Sequence, residues 1–173
     1  MTWPSSTAEV ALCGGQTGPP RSLLYTPEQR ARRDNTRWTL VQGVLAPLQF
    51  VVFLLSLALV LRYLVSGAGY DAANASVWVK TAVLYVIMIT GSIWEKVVFG
   101  QYLFAAAFFW EDVFSMLVLA LHAAYVVAVW QGWGDAQWQM MLALAAYAAY
   151  VINAGQFLLK LRAARQQEAA WQA

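Results

Sequence analysis

The sequence predicts an all-α integral membrane four-helix bundle, with a short N-terminal interfacial helix and an interface-lying aromatic segment between helices 2 and 3. Three observations carry that prediction. Hydrophobic residues make up 61% of the 173-residue chain and charged residues only 12%, against about 45–50% and 25% in an ordinary soluble domain. Charge-free runs of 24 residues occur twice, at 38–61 and 136–159. At 1.5 Å per residue such a run spans about 36 Å, enough for a hydrocarbon core about 30 Å thick. Lysine and arginine, finally, are distributed unevenly among the connecting segments, as in polytopic membrane proteins.

In chain order, residues 1–24 come first. They include Gly14, Gly15, Gly18, Pro19 and Pro20 and show no periodicity, which predicts a disordered tail. A signal peptide is not expected, because the apolar stretch from Ala8 to Leu12 is short and contains Glu9. Thr26-Pro27-Glu28-Gln29 is a helix start, with a capping Thr, Pro at the first helical position and Gln at the reciprocal position. The basic helix it opens, Pro27 to Arg37, is expected to lie on the cytoplasmic membrane surface. That helix is a topology signal, a cationic lip for anionic lipid or substrate, or both.

The transmembrane domain, 25–165, holds spans at about 38–61, 75–94, 113–134 and 136–159, and residues 166–173 form a C-terminal tail. Lys80 falls near one end of the second span, where its stem can snorkel to the interface. Val97 to Trp110, at 14 residues, is too short to cross and carries six aromatics, Phe99, Tyr102, Phe104, Phe108, Phe109 and Trp110. An aromatic belt and a platform for a flat aromatic ligand both fit that density. Gly43, Gly91 and Gly155 are expected to permit close helix packing. Nine basic residues (Arg21, Arg30, Arg32, Arg33, Arg37, Lys96, Lys160, Arg162, Arg165) face two (Arg62, Lys80) across the membrane. That bias puts both termini and the middle loop in the cytoplasm.

One cysteine, Cys13, and one histidine, His122, exclude an internal disulfide, a cysteine metal cluster and any two-histidine site. Phosphate-loop, zinc and Ser-His-Asp patterns are missing, and nothing points to nucleic acid. What stands out is polarity inside the spans. Helix one has Gln42, Pro47 and Gln49. Helix three has Glu111, Ser115 and His122 on one stripe, with Asp112 beside Glu111 and Glu95 shortly before. Helix four has Tyr147, Tyr150, Asn153, Gln156 and Lys160.

Such groups hydrogen-bond between helices or serve function. Glu111 and Asp112 at a helix start are also what a helix dipole favours. Three carboxyls crowded away from bulk water can retain a proton, as a general acid must. His122 lies about 15 Å deeper than Asp112. It is placed to bind a metal, relay a proton, or bond Asn153 or Gln156.

Five stretches of this chain resemble a known family. They are YTPEQRARRD (25–34), WTLVQGVLAPLQF (38–50), SIWEKVVFG (92–100), FFWEDVFSMLVLALH (108–122) and YAAYVINAGQFLLKLR (147–162). They are similar to the 3-vinyl bacteriochlorophyllide hydratases of photosynthetic bacteria. The resemblance implies a hydro-lyase of the bacterial inner (intracytoplasmic) membrane. Its reaction adds water to the C3 vinyl group of chlorophyllide a or 3-vinyl bacteriochlorophyllide a, giving a 1-hydroxyethyl group. It implies no cofactor beyond the magnesium carried by the substrate. The partners it implies are the tetrapyrrole, the bilayer, and other bacteriochlorophyll-pathway enzymes or a second copy of the chain.

On that chemistry Glu111 is the expected proton donor, Asp112 the base that positions water, and Glu95 an ionised partner of Lys96. His122 is the fourth candidate catalytic residue and a candidate axial ligand to the substrate magnesium. Trp94, Phe109 and Trp110 would take the pigment's flat face, with Asn153 and Gln156 as polar contacts. Lys96 or the Arg30, Arg32 and Arg33 cluster would take its propionate. Two rivals stand beside this reading. A non-catalytic tetrapyrrole carrier or assembly protein would need the aromatics and His122 but no acid. A small transporter would need a polar path to both membrane faces.

Overall fold

A computed structural model describes residues 24–172, so the disordered tail expected for the N-terminal segment lies, but for Leu24, outside the described residues. Five helices follow in order: α1 Pro27–Asn35, α2 Arg37–Ser66, α3 Tyr70–Phe99, α4 Phe109–Gln131 and α5 Ala136–Gln172. The capping box forms as its sequence predicts. The Gln29 amide donates to Thr26 Oγ1 at 3.2 Å, and the Thr26 amide donates to Gln29 Oε1 at 2.9 Å. The basic helix ends at Asn35 rather than Arg37. Thr36 is extended (φ −89°, ψ 138°) and its hydroxyl caps a new helix by accepting from the Trp38 amide.

Helices α2 to α5 are each long and apolar enough to cross a membrane. They extend past the runs that betray them in the sequence, because charge and helicity end at different places. The third is the exception, stopping at Gln131 rather than 134. Gly132 takes a left-handed conformation (φ 66°) that terminates the helix. The fifth continues through the residues expected to be a tail, since the polar sequence after Arg165 still favours helix.

The spans form two tight hairpins, α2–α3 and α4–α5, while α1 rests against α3. Phe53, Val60, Val77, Leu84, Val118, Tyr125 and Tyr147 fill the main core. Leu40, Leu55, Val65, Ile89 and Leu159 face outward, as spans do in lipid. Trp130, Trp133 and Trp138 are exposed around the α4–α5 turn, where an interfacial belt belongs.

Among the three glycines, a methyl group added at Gly91 would meet Gln42 Oε1 of the neighbouring helix at 3.7 Å, whereas one at Gly43 or Gly155 would meet nothing within 4 Å, so close packing does not require glycine at those two positions. Lys80 does not snorkel. It shares a face with Ala73, Val77 and Leu84 that points into the bundle, and it is fully buried.

The aromatic segment divides in two. Phe99 and Phe108 turn inward with Tyr25, Trp94 and Phe157 to form a second core at the α1 end of the bundle. Ring centroids there lie 5.7 Å (Tyr25–Phe99), 5.8 Å (Trp94–Phe108) and 6.0 Å (Phe108–Phe157) apart. Tyr102, Phe104, Phe109 and Trp110 turn outward.

Candidate active site

Glu95 sits in the last turns of α3, and Glu111 and Asp112 in the first turn of α4. All three are buried, at 6%, 7% and 2% exposure. A buried carboxyl must find hydrogen-bond donors, and the loop joining α3 to α4 supplies them. The Phe104 amide donates to Asp112 Oδ2 at 2.7 Å, and the Ala105 amide to Glu95 Oε2 at 3.4 Å. Phe104 has φ 59°, unfavourable for a residue with a bulky side chain. The bond from its amide to Asp112 helps hold it there. The Glu95 and Asp112 side chains lie within direct interaction range of each other.

Glu111 turns the other way, onto Lys160 of α5, with Nζ 2.7 Å from Oε2. The same ammonium lies 5.1 Å from the centre of the Phe108 ring. Next to these groups opens a cleft of about 630 Å³. Lys160, which pairs with Glu111, and Ala105, whose amide serves Glu95, line it, so the three acids lie one residue behind its wall; Gln29 and Gln101 make it partly polar and Phe99 partly apolar.

The remaining sequence candidates separate into groups. Lys96 is exposed and does not pair with Glu95. Its Nζ donates to the Gly100 carbonyl at 2.8 Å and lies over the Tyr102 ring. It therefore serves the end of α3, where cations are favoured. Trp94 donates from Nε1 to Thr39 Oγ1 at 2.9 Å and packs on Phe99 and Phe108. Phe109 and Trp110 pack edge to face and are 45% and 67% exposed. Asn153 donates to Ser115 Oγ at 2.8 Å.

His122 bonds neither Asn153 nor Gln156. Its Nδ1 meets the Val118 carbonyl at 2.8 Å. A carbonyl only accepts, so Nδ1 carries the hydrogen and a neutral ring presents Nε2 as a bare acceptor. That Nε2, Asn153 Oδ1 and Gln156 Oε1 are buried with no hydrogen-bond partner. Among the described residues no three of His, Cys, Asp and Glu are grouped to hold a metal ion.

Sequence reasoning placed Lys160 on the polar face of its helix but did not pair it with Glu111. The pairing is a tertiary contact across 49 positions. Lys80 was missed as an interior residue, although the Ala73, Val77 and Leu84 spacing around it was available as a signal.

A family profile described as 2-vinyl bacteriochlorophyllide hydratase (BCHF) matches residues 25–163. A 2-vinyl bacteriochlorophyllide hydratase of Cereibacter sphaeroides is 69% identical over 146 residues, covering 84% of this chain and 91% of the relative. Another, of Rhodobacter capsulatus, is 65% identical over 152 residues, covering 88% of each. No solved structure matches. With the profile running through the five stretches singled out in the sequence and across the acids of α3 and α4, the chain belongs to the 2-vinyl bacteriochlorophyllide hydratase family.

Proposed function

We propose that this protein is a membrane hydro-lyase that adds water to the ring vinyl group of a bacteriochlorophyllide-type pigment, giving a 1-hydroxyethyl group. That vinyl is position 2 in the relatives' names and position 3 in the numbering used above. Family membership supplies the reaction. The observation that carries it to a site is the trio of buried carboxyls beside a partly polar cleft, two facing each other and one ion-paired.

Hydration of a vinyl group needs a proton on the terminal carbon and water on the inner one. Protonation leaves a cation at the inner carbon, spread into the macrocycle. Two facing carboxyls remote from bulk water hold one proton between them more readily than two negative charges. The Glu95–Asp112 pair is therefore our proton donor. In this reading Glu111, whose charge is matched by Lys160 at the cleft wall, orients the incoming water and accepts its proton. This exchanges the roles that sequence order suggested for Glu111 and Asp112. The base's proton returns to the donor pair through solvent in the cleft, which closes the cycle. Phe108, buried beside the Lys160 ammonium, gives that ion pair an apolar neighbour, which strengthens its electrostatic contact. His122 Nε2, as a bare acceptor, is suited to the axial position of the substrate's own magnesium.

The test is direct. Purified protein in detergent, given chlorophyllide a or 3-vinyl bacteriochlorophyllide a, should yield pigment heavier by one water in mass spectrometry. Tight pigment binding with no mass gain would favour the carrier reading instead.

We place the protein in the bacterial inner membrane with both termini cytoplasmic, on the charge bias and the even number of spans. In a Cys13→Ser background, a cysteine introduced after Arg165 should escape membrane-impermeant thiol reagents in intact cells. Labelling from outside would reverse the orientation.

A further inference from the structure

Gln29 has a place in the structure that its capping role does not account for. Its Oε1 accepts from the Thr26 amide at 2.9 Å, and its own backbone amide donates to Thr26 Oγ1. A side-chain amide carries an oxygen and an NH2 group, and the cap uses the oxygen alone. The bond that fixes Oε1 fixes the direction of Nε2 with it. Gln29 is half-buried and lines the cleft of about 630 Å³ beside the acids. The cleft wall thus includes a side chain that is held in place by its helix and whose remaining polar group is a donor.

The rest of the wall is matched to it. Lys160 contributes an ammonium, which donates to Glu111 Oε2 and has two further N–H bonds. No Asp or Glu is among the described residues that line the cleft. Glu111 is turned onto Lys160, and the amides of Phe104 and Ala105 hold Asp112 and Glu95. Leu24, Phe99 and the 105–107 stretch make the remainder apolar, with Gln101 the other polar side chain. Pockets of about 300–1,000 Å³ enclose small organic ligands, and they combine apolar walls with a few placed polar groups. Apolar walls with donors suit a conjugated ring that bears acceptor oxygens. Lys96, Arg30, Arg32 and Arg33, the cations expected to take the pigment's carboxylate, are not among the described residues that line the cleft. The Lys160 charge is already matched by Glu111. Recognition of an oxygen in the cleft therefore falls to the uncharged donor.

We propose that Gln29 is a specificity-determining residue of the pigment site, its Nε2 donating to an acceptor oxygen of the pigment, a free propionate or a ring carbonyl. The identity of the ligand rests on the hydratase reading. The donor stands on the capping box and the cleft.

The capping box supplies the test. Glutamate fills the reciprocal capping position as glutamine does, and a negative charge in the first turn suits the helix dipole. Gln29→Glu therefore keeps α1 and replaces the NH2 donor with an acceptor. Chlorophyllide a and its propionate methyl ester are titrated by absorbance, with hydration read separately by mass gain. Gln29→Glu should melt at the wild-type temperature and bind pigment roughly 10- to 100-fold more weakly, the cost of a hydrogen-bonding group left unmatched. Ala31→Glu, which adds the same charge at an exposed position of α1, should bind as wild type does. A penalty confined to the free acid puts the propionate at Gln29, and an equal penalty on acid and ester puts an uncharged carbonyl there. Wild-type affinity of Gln29→Glu for both pigments overturns the proposal, as does wild-type protein that binds neither. So does an equal loss in Ala31→Glu, which would make the effect one of general charge. Weakened binding in Gln29→Glu alone, with no hydration by wild-type protein, would uphold the donor and remove the hydratase reading.

Discussion

Asp112→Asn is expected to lower hydration by about 10²- to 10⁴-fold, the usual worth of a general acid, while pigment binding stays near wild type. The amide is chosen for a structural reason. Asp112 Oδ2 accepts the Phe104 amide, and an asparagine oxygen can go on accepting it, so the loop keeps its anchor and only the transferable proton is lost. Glu95→Gln follows the same logic through the Ala105 amide and should show a similar loss. Glu111→Gln also removes turnover, but it leaves Lys160 without its carboxylate, so some stability goes with it. Mass-spectrometric turnover beside an absorbance titration separates these effects. A near-normal rate in both Asp112→Asn and Glu95→Gln would mean that the pair only ties down the loop.

The second large effect concerns packing. Phe108 is 4% exposed and touches the rings of Tyr25, Trp94, Phe99 and Phe157, with the Lys160 ammonium beside it. Phe108→Ala should cost about 3–5 kcal/mol, the range for a large aromatic removed from a packed core. It should also slow hydration, because the cluster supports the loop whose amides hold Asp112 and Glu95. Trp110, two residues on and 67% exposed, provides the contrast. Trp110→Ala should stay within about 0.5 kcal/mol. Thermal unfolding in one detergent checks both. A Phe108→Ala protein as stable as wild type would show that the α1-end cluster is not a core.

The spans were legible because hydrocarbon imposes length and apolarity on every segment that crosses it. The capping box was legible because it is a local arrangement of four residues. Their ends were less so. Charges mark where water begins, whereas Gly132 and Thr36 mark where the backbone turns, and the two differ by several residues. In the candidate site, Glu95, Glu111 and Asp112 could be picked out in the sequence as acids close to a membrane interior. Their partners could not. Glu111 with Lys160, and Asp112 with a backbone amide eight positions earlier, depend on how hairpins and loop fold back. Lys96 looked like the natural partner of Glu95 because it is adjacent in sequence, but neighbours on a helix point about 100° apart. Lys80 was misplaced for the opposite reason. Its place near the end of the second span suggested an interface, whereas the face it shares with Ala73, Val77 and Leu84, packed against Phe53 of α2 and Tyr147 and Tyr150 of α5, turns it inward.

The loop from Gly100 to Phe108 hangs by two amides from the same carboxyls assigned to the chemistry. A carboxylate grips an amide about twice as strongly as a neutral acid does. If that pair is the proton donor proposed above, losing its proton would tighten the loop's anchor and regaining one would slacken it, so the firmness of the 100–108 loop would follow the protonation state of Asp112 and Glu95.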